Sequence, residues 1–227
     1  MQKVAFFDID GTVFRSSLLV ELVEVCVREG VLPASMRSGY VHAYDAWRNR
    51  EGSYEAYINA VVTAFRQHIR GVYYGDFADI GRKVVEEQGR RTYRYTRDLI
   101  ADLRSKDYYI VAISHSPKFI LDEFCEQYGF DKVYGRIYEI GPRDLFTGVV
   151  VEEELMSDKA NVVSRVIKKE GLSREGSIGV GDTESDIPLL EAVEMPICFN
   201  PNQSLYAHAK QRGWPVVVER KDVVYTL

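Results

Sequence analysis

The sequence predicts an α/β protein: a parallel sheet covered on both faces by helices, interrupted early by a helical insertion. Three observations lead there. Short apolar runs that end in turn residues recur along the chain. Amphipathic helical patterns separate them. One long stretch, 15–92, has helical periodicity and no convincing strand.

The first apolar run, Val4 to Phe7, stops at Asp8-Ile9-Asp10-Gly11-Thr12. A run of that length closed by turn residues suits a strand buried on both faces, as in a parallel sheet. Tyr109–Ile113, Ile178–Val180, Pro196–Phe199 and Val216–Val218 read the same way. Helical spacing fills Lys118–Tyr128 and Lys159–Glu170 between them. Strands alternating with helices imply crossover connections and a parallel sheet.

Within the insertion, Ser17–Glu29 sets Glu21, Glu24 and Arg28 opposite Leu18, Leu22, Val25 and Cys26. Ser53–Ile69 places Tyr54, Tyr57, Ile58, Val61, Val62, Phe65 and Ile69 on helical spacing. Gly52-Ser53 and Gly71 punctuate these helices. Val133–Glu154 alternates instead, and Asp144-Leu145-Phe146-Thr147-Gly148 resembles a turn, so a β-hairpin excursion is expected there.

Composition narrows the class of partner. The chain has 227 residues, 46% hydrophobic and 28% charged, and a net charge of −5. This is ordinary for a globular protein and gives no support to a nucleic-acid or anionic-membrane partner. No run approaches the ~20 apolar residues of a membrane helix. The three cysteines, Cys26, Cys125 and Cys198, are isolated and sit among apolar residues, as buried reduced thiols do. A cytoplasmic location is the expectation.

Four groups of polar residues fall where sheet proteins bind ligands, beyond the carboxyl ends of strands. Asp8 and Asp10 follow the first strand and could share a hard cation, or serve only as turn and cap. Ser114 follows the second and could hold a phosphate or be an N-cap. Lys159 opens a helix, where a cation opposes the macrodipole unless it has another task; a solvated lysine is the plain alternative. Gly181-Asp182-Thr183-Glu184-Ser185-Asp186 brings two more carboxylates past a strand end.

In this order, Asp8-Ile9-Asp10-Gly11-Thr12, Ser114, Lys159 and Gly181-Asp182…Asp186 resemble the four-motif signature of the haloacid-dehalogenase-like hydrolases. Phe199-Asn200-Pro201 and Gly213-Trp214-Pro215 resemble its phosphoserine-phosphatase-like branch. The resemblance implies a Rossmann-like three-layer core over 1–14 and 93–227, and a C1-type helical cap over 15–92. It implies Mg2+-dependent hydrolysis of a small phosphorylated substrate, with Asp8 as nucleophile and Asp10 as general acid and base. Ser114 and Lys159 would hold the phosphoryl group, and Thr12 would brace the loop. Asp8, Asp182, Asp186 and the backbone carbonyl of Asp10 would serve the metal.

Two departures bear on the substrate. Ser17 stands where phosphoserine phosphatases carry a glutamate, and Ser114-His115-Ser116 replaces Ser-Gly-Gly. His115 is a candidate substrate contact, and Arg48, Arg50, Arg66 and Arg70 are candidate cap cations. A phosphotransferase or phosphomutase would keep the same residues. A non-catalytic interaction protein is the remaining alternative. The sequence leaves the natural substrate and oligomeric state open.

Overall fold

The computed structural model describes residues 1–227. Strand β1 (Lys3–Phe7) is followed by α1 (Leu18–Arg28), α2 (Val41–Arg48), α3 (Tyr54–His68), α4 (Tyr74–Gln88) and α5 (Arg94–Ser105). Then come β2 (Tyr109–Pro117), α6 (Lys118–Glu126), and the pair β3 (Lys132–Ile140) and β4 (Phe146–Val151). The remainder is α7 (Glu153–Met156), α8 (Lys159–Glu170), β5 (Ser173–Gly181), α9 (Ile187–Glu191), β6 (Met195–Phe199), α10 (Gln203–Arg212), β7 (Val216–Arg220) and β8 (Val223–Thr226).

All eight strands form one sheet in the order β4-β3-β2-β1-β5-β6-β7-β8. The six central strands are parallel, and β4 and β8 run antiparallel at the two edges. Successive side chains of β1 point to opposite faces, as strand geometry requires. Ala5 and Phe7 join one buried cluster with Ile110 and Ala112, while Val4 and Phe6 join the other with Val111 and Ile113. Helix α8 covers the second face through Val162, Val163 and Val166, assisted by α9 and α10.

The other face is thicker. Its cluster continues from the sheet through α6 into Leu22, Val61, Phe65 and Phe77 of the insertion. Burial of these side chains contributes roughly 1.5–3 kcal/mol each, so insertion and sheet share one interior. The two linkers of the insertion run side by side. The Arg15 N–H donates to the Arg91 carbonyl at 2.8 Å, Tyr93 N–H to Val13 at 3.0 Å, and Phe14 bridges to Thr92.

Three local expectations change. The hairpin reverses at Gly141–Leu145, not at Asp144–Gly148, because Phe146 is buried and already in β4. Its N–H donates to Val72 at 2.9 Å, and its carbonyl accepts from Gly71 at 2.8 Å, so it is pinned to the insertion. Strand β2 runs on to Pro117, which makes Ser114 a strand residue, not a helix cap. Strand β8 went unrecognised because Val223–Thr226 is an exposed edge with little apolar periodicity.

Candidate active site

The strand ends converge. Asp8 leaves β1, Ser114 lies in β2, Asp182 leaves β5, and Lys159 opens α8 behind them. Lys159 is 2% exposed, which excludes the solvated alternative. Its ammonium donates to Asp8 Oδ1 at 2.6 Å and to Asp186 Oδ1 at 2.5 Å. Burial works against the charge, but the Asp186 and Asp8 carboxylates outweigh it and raise the pKa, so Lys159 is firmly protonated.

Asp186 is fully buried in a short 3-10 turn, Glu184–Asp186, not in an α-helix. Its Oδ2 accepts from the Asp182 and Thr183 N–H groups at 3.0 and 3.1 Å, closing a capping box with Thr183. Gly181 fits only because it lacks a side chain: a Cβ there would lie 2.4 Å from Asp186 Cβ. Gly11, at φ +87°, likewise leaves room for Asp182, whose Oδ2 would meet a Cβ at 2.2 Å. The Thr12 hydroxyl donates to Asp182 Oδ1 at 3.3 Å. The loop that follows β1 and the Asp182 loop are thus bound together.

One carboxylate oxygen each from Asp8, Asp182 and Asp186 lies within 4.8 Å of the others. At about 4 Å and an effective dielectric near 20, each like-charged pair costs about 4 kcal/mol. Lys159 neutralises only one of the three. Burial lifts the Asp8 carboxyl to about 7 even against the lowering by Lys159. Burial, then Asp8 and Asp186, push Asp182 well above the carboxylate range. Asp8 Oδ2 is buried without a partner. An orphaned oxygen in a group two charges short of neutrality fits a divalent cation.

Asp10 is not in that group. Its Oδ1 accepts from the Leu18 N–H at 2.6 Å, and its Oδ2 accepts from the Ser114 hydroxyl. Its pKa is raised by burial, with Ser114 and Leu18 pulling it back. Ser114 Oγ also accepts from the Ser116 N–H at 2.9 Å, and Ser116 Oγ accepts from Leu19 N–H at 3.1 Å. This chain of bonds ties the start of α1 to the bend in β2.

Asp8, Asp10, Lys159, Asp182 and His115 open on a cavity of about 200 Å3. Its far wall is α3, through Tyr54, Glu55, Ile58, Asn59 and Val62. A larger cavity of about 360 Å3 lies on the other side of Tyr54, between Trp47 and Gly11, but reaches neither Asp8, Asp10 nor Lys159. His115 places Nε2 3.1 Å from the Met156 carbonyl, which sets its proton on that nitrogen. Burial, then Lys159 and Arg136, depress its pKa to about 4, so the imidazole is neutral.

Ser17 is buried and lines the cavity, whereas Glu21 lies outside it, paired with Arg91 at 3.0 Å. The cap cations Arg48, Arg50, Arg66 and Arg70 are all exposed and none lines the cavity. The cation that does, besides Lys159, is Arg136 on β3. Sequence reasoning missed it, because the hairpin was read as a peripheral excursion. The signal was Gly135: a Cβ there would lie 2.4 Å from Leu121 and 3.0 Å from the Ser116 carbonyl. Such a glycine marks strand β3 drawn tightly against the Ser114–Ser116 segment.

Known proteins place the chain. An inhibition of morphological differentiation protein of Streptomyces azureus is 24% identical over 223 residues, 95% of this chain and 78% of its own. A phosphoserine phosphatase of Mycobacterium tuberculosis is 23% identical over 223 residues, covering 95% of this chain and 70% of that one. The solved phospho-aspartyl intermediate analogue of a phosphoserine phosphatase superposes with a TM-score of 0.61 at 19% identity, over 97% of this chain and 95% of that one. Residues 5–191 match the haloacid dehalogenase-like hydrolase family. With its sheet order, its inserted helices and its converging strand-end carboxylates, the chain belongs to the haloacid dehalogenase-like hydrolases, in their phosphoserine-phosphatase-like branch.

Proposed function

We propose that the protein is a Mg2+-dependent phosphomonoester hydrolase acting on a small phosphorylated metabolite through an aspartyl-phosphate on Asp8. The observation that carries this reading is the buried, partnerless Oδ2 of Asp8 beside a protonated Lys159 and two further carboxylates.

Asp8 attacks phosphorus, and the bond to the leaving oxygen breaks. Asp10 gives that oxygen its proton, so an alcohol departs. A burial-raised pKa suits Asp10 to hold the proton. Asp10 then takes a proton from water, which attacks the phosphorus of the acyl-phosphate. Asp8 is regenerated and inorganic phosphate is released. Lys159 offsets charge on the transferring oxygens, and the Ser114 hydroxyl turns from Asp10 toward one of them. Thr12 and Asp186 position the loops. Asp8, Asp182 and Asp186, with the Asp10 carbonyl, are the residues that would hold Mg2+, which supplies charge neutralisation between the anionic nucleophile and the anionic phosphate.

In this reading 1–14 and 93–227 form the catalytic core, and 15–92 is the cap that encloses the leaving group. A phosphotransferase would share every step up to the acyl-phosphate. The deciding experiment follows the phosphorus. Incubation of phosphate monoesters with Mg2+ should release inorganic phosphate in proportion to alcohol formed, even with excess acceptor alcohol present. Phosphate appearing on the acceptor instead would move the protein to the transferases.

A further inference from the structure

Arg136 is held in an unusual way. In the parallel register of β2 and β3, Arg136 pairs with Pro117, after a register shift that spans Ser114–Ser116. The close approach at Gly135 presses this part of β3 against that segment. The guanidinium therefore lines the same small cavity as Asp8, Asp10 and Lys159. Its Nη1 is buried and has no hydrogen-bond partner. Two residues on, and so on the same face of the strand, the Tyr138 hydroxyl is also buried without a partner.

No carboxylate lies within ion-pairing distance of Arg136, and its Nη1 stays unpartnered. Asp8 pairs through Oδ1 with Lys159, and Asp10 with Leu18 and Ser114. Glu153, beyond the hairpin, pairs with Arg66 at 2.9 Å. Glu55 and Glu184 also line the cavity, and Glu184 accepts from the Asn202 amide. A buried donor left unmade is costly, and more so when charged. Arginine presents a planar fork that matches carboxylate and phosphate oxygens. Lys159 and the metal group already serve the phosphate that reacts, so a further cation in the same cavity has a second anion to meet.

We propose that Arg136 is a specificity-determining residue that binds an anionic group, a carboxylate or a second phosphate, carried on the leaving alcohol. The inference rests on the phosphatase reading for its site, but its test does not depend on turnover.

Binding of three probes is measured by calorimetry in excess Mg2+: propylphosphonate, 3-phosphonopropionate and ethane-1,2-bisphosphonate. The wild-type protein should bind at least one of the two-anion probes tenfold or more tightly than propylphosphonate. Whichever gains more identifies carboxylate or phosphate as the group. Arg136→Gln should erase the advantage and leave propylphosphonate within about twofold. Arg136→Lys should restore part of it. The melting temperature of Arg136→Gln should stay level or rise, since an unsatisfied charge is removed, whereas a structural arginine would lower it. Equal affinity for all three probes in the wild type, or a loss in Arg136→Gln shared equally by all three, overturns the proposal. If the advantage is present but no monoester releases phosphate, the phosphatase reading fails and the anion subsite stands.

Discussion

The Lys159 ammonium lies 2.6 Å from Asp8 Oδ1, and both groups are almost wholly buried. Lys159 also holds Asp186, so removing the lysine leaves two buried carboxylates without a counter-charge, whereas removing Asp8 leaves the lysine paired. Lys159→Met should therefore destabilise the protein by about 3–5 kcal/mol in denaturant melts without metal. It should also depress kcat for every substrate alike. Asp8→Asn should instead keep or raise stability, because it relieves carboxylate repulsion, while turnover falls by far more than tenfold. An Asp8→Asn protein retaining a tenth of wild-type kcat would remove Asp8 from the mechanism.

Metal should act on stability as well as on rate. A cation bound only by the folded protein adds about 2.7 kcal/mol at one hundred times its Kd. Mg2+ should raise the melting temperature of the wild type and chelation should lower it. Asp182→Ala should flatten that response and eliminate activity. Full activity in excess chelator would rule the metal out.

His115 supplies a pH test. Its pKa is near 4 in the folded protein and 6.5 in the unfolded chain. Above pH 6.5 the residue is neutral in both states and contributes nothing. As pH falls from 6.5 toward 4, the unfolded chain takes up a proton that the folded one refuses. Stability should decline over that window by at most about 3 kcal/mol. His115→Asn should lack this component when its stability is compared with wild type across the range. In NMR titration the His115 resonance should not move above pH 5.5; a midpoint near 6.5 would show the imidazole to be solvated.

The wall formed by α3 should set substrate choice. Ile58, Asn59 and Val62 face the cavity, whereas Arg48 and Arg50 do not. Substitutions at the first three should change the ranking of kcat/KM among monoesters by about tenfold, equivalent to 1.4 kcal/mol. Arg48→Ala and Arg50→Ala should leave the ranking as it is. Equal depression of all substrates by every α3 variant would reduce the insertion to a cover.

The core was legible because its strands are buried on both faces and each ends in a ligand-bearing loop. Val4 to Phe7 followed by Asp8 carries both facts in a few residues. The helix Lys159–Glu170 was readable from its spacing and from a lysine placed against the helix dipole. Arg136 was not legible, because nothing in its neighbours says that β3 bends against Ser116. That depends on the missing side chain of Gly135 and on partners ten or more residues away. The cap arginines misled for the opposite reason: charge on an amphipathic helix marks the solvent face unless a cavity is known.

The position of β1 at the centre of the sheet has a consequence for synthesis. Val4 pairs with Tyr109, and Phe7 with Val180. At a translation rate of ~5–20 residues per second, the first partner of β1 emerges some five to twenty seconds after it. Helices α1 to α4 can coil locally in that interval, but Leu22, Phe65 and Phe77 have no sheet to rest on until β2 arrives. The nascent chain thus carries the apolar segment Val4–Phe7 unpaired until Tyr109 and the rest of β2 have been made. High contact order of this kind slows folding, and it makes the early chain a client for whatever shields hydrophobic segments at the ribosome.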